Sequence, residues 1–66
     1  MDVSLDDQIA CVEREIKMRV RVYPRWVEQH KVTQAAAGHQ IAAMRAVLGT
    51  LQRIKAEEKP VQVALI

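Results

Sequence analysis

The side chains that could do chemistry in this sequence are few and mostly basic. Arg14, Lys17, Arg19, Arg21 and Arg25 fall within twelve residues, against Glu15 alone. Arginine outnumbers lysine four to one there, and the planar guanidinium suits bidentate capture of carboxylate or phosphate. Tyr23 and Trp26, the chain's only aromatics, lie in the same stretch. Tyr or Trp beside Arg is the composition of protein-interface hot spots. Other chemistry has little to draw on. Cys11 has no histidine near it in sequence and sits between Ala10 and Val12, the setting of a packed thiol rather than a nucleophile. His30 and His39 alone make a poor zinc site. Glu13 and Glu15 point to different faces of a helix, so no carboxylate pair is framed for acid–base work. No Gly-rich phosphate loop and no Ser-His-Asp set occurs. These residues argue against an enzyme, a cofactor and a bound metal.

The elements that must position the basic run are helical. Ser4 followed by Asp7 reads as an N-cap with an acid at the third helical position. Asp6 and Asp7 suit the positive end of the helix dipole. Leu5, Ile9, Val12, Ile16, Val20, Tyr23 and Val27 then recur at three- and four-residue spacings, one narrow stripe of a helix over about residues 5–31. Arg14, Lys17, Arg21 and Arg25 share an arc of about 80° beside that stripe, at about 100° per residue. Cys11, Met18 and Val22 form a second apolar strip, with Trp26 off the main stripe beside it. A helix apolar on two sides contacts two things. Pro24 interrupts the pattern and costs about 3 kcal/mol inside a helix. Either one helix is kinked there, or it breaks at Val22–Tyr23 and Pro24 opens a short new helix.

A turn is expected over about residues 30–33. His30 and Lys31 suit a helix C-terminus, and Thr33 caps the next helix. So short a connection makes an antiparallel helical hairpin. The second helix runs over about residues 34–58. Ala37, Ile41, Met44, Leu48 and Leu51 alternate four-three-four-three, a coiled-coil seam. Ala35, Gly38, Ala42, Ala46 and Gly49 line another stripe. Alanine is there the best helix former, but each glycine costs about 1 kcal/mol, which suggests close approach by another helix. Pro60 ends the helix, and the apolar tail 60–66 is expected to dock on its own or a neighbouring subunit.

Size bounds the assembly. The 66 residues are half apolar and hold only four Gly and Pro together, so they form one all-α domain rather than a disordered tail. A domain of about 60 residues is marginal alone. One cysteine excludes an internal disulfide, which leaves association. A two-fold homodimer of hairpins in a four-helix arrangement is expected, with Ile16, Met18, Val22, Gly38, Ala42, Met44, Leu48 and Gly49 at packing contacts. The first twelve residues carry three Asp and no cation, the reverse of a secretory leader. No apolar run approaches the ~18 residues of a membrane span. A cytoplasmic location is expected, and no membrane partner.

The run Ile9-Ala10-Cys11-Val12-Glu13-Arg14-Glu15-Ile16, then Met18-Arg19, then Val22-Tyr23-Pro24-Arg25-Trp26-Val27 resembles small helical proteins of tailed phages and prophages that have no assigned activity. The resemblance covers about residues 8–51. It implies a phage origin and work inside a bacterial host. Small phage proteins often bind a host protein, including components of defence systems. Three readings follow. The first is a non-enzymatic binder, an inhibitor or modulator of a host protein, that presents Arg14, Lys17, Arg21, Arg25 and Trp26 to an acidic protein partner. The second is a nucleic-acid module using the same stripe on phosphates. The third is a purely structural assembly piece, the stripe being a solvated face. A groove-reading second helix would open with polar residues; Gln34-Ala35-Ala36-Ala37-Gly38 offers almost none.

Overall fold

Residues 2–64 are described by the computed structural model. They form two helices, α1 over Leu5–Glu28 and α2 over Gln34–Ala64, and no strand occurs among the described residues. The helices pack side by side as a hairpin 57 × 23 × 17 Å across.

Both N-termini are capped as the sequence predicts. The Ser4 hydroxyl accepts from the Asp7 N–H at 3.0 Å, and Thr33 Oγ1 accepts from the Ala36 N–H at 3.1 Å. Each cap satisfies one of the orphan donors of a helix start. The end of α1 differs from expectation. The helix stops at Glu28, three residues short of the expected 31, and the connection takes residues 29–33. Its cause is a left-handed residue, His30, at φ 59°. The His30 N–H donates to the Val27 carbonyl at 3.0 Å and the Lys31 N–H to the Trp26 carbonyl at 2.9 Å. That pair of bonds is a Schellman closure, which glycine usually makes. The connection includes the expected turn over 30–33 and starts one residue earlier, with a histidine in glycine's place.

Of the two readings at Pro24 one is excluded, and the end of α2 is corrected. α1 is continuous through Pro24, so the break at Val22–Tyr23 does not occur. The apolar phase that runs on to Val27 outweighs the one hydrogen bond that a proline removes. α2 likewise continues through Pro60 to Ala64, six residues beyond the expected end at 58. No glycine or asparagine follows Glu58 to close the helix. Docking of the side chains of the tail 60–66 lies outside the described residues.

The packed seam is the expected one, but thin. Ile16 at 8% exposure and Ala37 at 6% are the buried apolar residues among those described, and no side chain is fully buried. Leu5, Ile9, Val12, Tyr23 and Val27 of α1 and Ile41, Met44, Leu48 and Leu51 of α2 are half-buried. Val20, on the edge of the stripe, stays exposed. At the open end Lys55 of α2 pairs with Asp6 in the first turn of α1. The chain exposes 5501 Å², where a compact monomer of this mass exposes about 4,250 Å². Its radius of gyration is 16.2 Å, against about 11 Å for a compact chain of this length. Two helices alone leave each other half uncovered.

Candidate protein-binding surface

Arg14, Lys17, Arg21 and Arg25 are all exposed on α1. None of them forms an ion pair among the described residues, where the pairs are Arg19–Glu15 and Lys55–Asp6. The helix therefore displays four cations along about three turns, unneutralised by its own chain. Trp26 is 38% exposed. Its ring lies 5.5 Å from that of Tyr23 at an interplanar angle of 32°. Tyr23 is half-buried in the seam, so it fixes the indole while leaving part of the ring in water. A partly exposed aromatic ring, packed on a second one, is suited to an interface anchor.

Arg19 belongs to the same sequence run but not to this surface. Its Nη1 donates to Glu15 Oε1 at 2.7 Å and to the Glu15 carbonyl at 3.1 Å. The hydrogen bond to Glu15 raises its pKa above the ordinary arginine value, Tyr23 adds in the same direction, and desolvation opposes both. The guanidinium folds back along the helix, with its Nε buried and unpartnered. One turn of spacing, Glu15 to Arg19, separates a structural arginine from four presented ones.

The residues expected at packing contacts divide. Ile16 is buried, and Met18, Val22, Met44 and Leu48 are half-buried. Gly38, Ala42 and Gly49 are exposed, and a Cβ built on either glycine would meet nothing within 4 Å. Within the hairpin no helix approaches the small-residue stripe. The seam through Ala37 and Leu48 takes the contact with α1, and the stripe lies about a third of a turn round. Gly38 instead borders a shallow groove of about 440 Å³ with Tyr23, Pro24 and Val27.

Cys11 is also corrected, from packed to exposed. It lines a groove of about 480 Å³ between the helices with Val3, Val12, Val47 and Leu51, edged by Asp7 and Gln8. Its position on the second strip, away from the seam, explains the exposure. The sequence reading missed the matching strip on α2. Val47 is 47% and Ile54 42% exposed, and with Ala36 and Ala43 they repeat every seven or four residues on one face. That spacing was the available signal.

No group of three or more His, Cys, Asp or Glu stands close enough to hold a metal ion among the described residues. No helix of the described residues is long and apolar enough to cross a membrane. Comparison with protein-family models, with curated proteins and with solved structures gives no match. The functional reading rests on the surface itself.

Proposed function

We propose that this chain is a non-enzymatic binding protein that works as a homodimer of helical hairpins and presents the basic edge of α1 to an acidic surface of a partner protein. One observation carries the reading. Arg14, Lys17, Arg21 and Arg25 are exposed and form no ion pair among the described residues, while the neighbouring Arg19 is neutralised by Glu15. Surface cations contribute about 0–1 kcal/mol to folding when paired, but in a desolvated interface a truncated arginine costs about 2 kcal/mol or more. Trp26, held by Tyr23 at the same end, supplies the apolar anchor.

Dimerisation is supported by the thin core and by the surface in excess of a compact monomer. A bend of α1 at Pro24 belongs to the same reading, since proline leaves the Val20 carbonyl without its helical donor. From the resemblance of residues 8–51 to phage proteins we infer a partner in a bacterial host, with a component of a defence system as one candidate, and a dimer working in its cytoplasm. Capture from bacterial lysate tests the reading. Arg14→Glu/Arg21→Glu should lose the protein that the native chain retains, and equal capture by both would contradict the basic edge as the binding surface.

A further inference from the structure

We propose that the side of the hairpin carrying Cys11, Met18, Val22, Val47 and Ile54 is the seat of a second copy of this chain, packed face to face and head to tail about a two-fold axis. The inference rests on the dimer reading above and names its surface and direction.

Three observations converge on it. The first concerns which side is apolar. Cys11 and Val47 line one groove, so the second strip of α1 and that of α2 open on the same side of the molecule. Met18 and Val22 extend this strip towards the turn, and Ile54 extends it towards the open end. Gly38, reached through the groove beside Pro24, marks the other side, where Ala42 and Gly49 offer little apolar area to bury.

The second is area. Two separate copies expose twice 5501 Å², whereas a compact particle of the doubled mass exposes about 7,000 Å². The difference, about 4,000 Å², lies within the ~2,000–5,000 Å² of obligate homodimers. A second copy is therefore an occupant of the right size.

Charge sets the direction. Between Met18 and Ala43, around the turn, Arg19, Arg21, Arg25 and Lys31 face Glu28 alone. The rest of the chain, towards the open end, holds seven acids, among them Asp2, Asp6, Asp7, Glu57 and Glu58, against six cations, so it is slightly acidic where the turn is basic. Head-to-tail packing sets each basic turn against the other copy's acidic end, while turn-to-turn packing sets like against like. Ile16 and Leu48 border one groove at the middle of the hairpin. A two-fold axis crossing the helices at that level runs α1 antiparallel to α1 of the second copy. It brings Cys11 to the level of Val22 and Asp7 to that of Arg25.

Sedimentation equilibrium and thiol cross-linking test this. The native chain, of 7.5 kDa, should sediment at twice that mass; a monomer would overturn the underlying dimer reading. Val47→Glu/Ile54→Glu changes two side chains already exposed in the hairpin and should yield monomer. A variant still dimeric would overturn the choice of face. Val22→Cys, beside native Cys11, should form a covalent dimer with oxidised glutathione, while the native chain and Val22→Cys/Cys11→Ala should not. A Val22→Cys protein that is dimeric by mass yet stays unlinked would overturn the head-to-tail direction alone.

Discussion

Arg19 donates to the Glu15 carboxylate at 2.7 Å and, with the same Nη1, to the Glu15 backbone carbonyl at 3.1 Å, so one arginine of the basic run is held by the helix that carries it. This contact makes the run heterogeneous. Arg19→Ala should lower the thermal midpoint, because it frees the Glu15 carboxylate and uncovers Tyr23, yet leave partner capture unchanged. Circular dichroism melting and the lysate assay, read on the same variant, check both halves.

The four presented cations should behave in the opposite way. Arg14→Glu/Arg21→Glu places acids three and four residues before Lys17 and Arg25, a favourable order on a helix. Helicity and mass should stay as in the native chain while capture of the partner is lost. Titration with salt then identifies the partner's chemistry. Binding to nucleic acid through several phosphates would give a steep log–log slope, and a protein partner a shallow one.

His30 should be replaceable with profit. Its left-handed φ of 59° costs a non-glycine residue about 1–2 kcal/mol. Glycine removes that strain but loses about 0.5–1 kcal/mol through its freer unfolded chain. His30→Gly should therefore stabilise by about 0.5–1 kcal/mol in urea unfolding, whereas His30→Val should destabilise.

Gly49 distinguishes the two sides of the hairpin. A Cβ there meets nothing within 4 Å, so Gly49→Ala should stabilise by about 1 kcal/mol through helix propensity alone. Destabilisation, measured by the same unfolding curves, would mean that a second copy packs against the small-residue stripe rather than the Val47 side.

Much of this was legible in the residues. Ser4 and Thr33 announced both helix starts because a capping hydroxyl acts within three residues. The seam from Ala37 to Leu51 followed from spacing alone. The misses share a cause in competition between local and wider effects. Pro60 is a strong local breaker, yet it lies within a helix whose neighbouring residues remain helical. His30 ended α1 through a backbone state that its side chain does not advertise. Cys11 has the residue type and apolar neighbours of an interior position, but its place on the helix circumference lies outside the buried seam, at an open groove with Val47. The stripe holding Gly38 and Gly49 suggested contact by composition, and only the packing phase of α2 shows it open within the hairpin. The four cations of the basic edge are legible as a set of helix positions, while the separation of Arg19 from them needs the side-chain geometry.

The most direct measurement is sedimentation equilibrium of the native chain at micromolar concentration, paired with its far-ultraviolet circular dichroism. A helical species near 15 kDa, twice the 7.5 kDa of one chain, is the expected result, because the proposed dimer would complete a core in which Ile16 and Ala37 are the buried apolar residues among those described. A fully helical, cooperatively melting species at 7.5 kDa would contradict it.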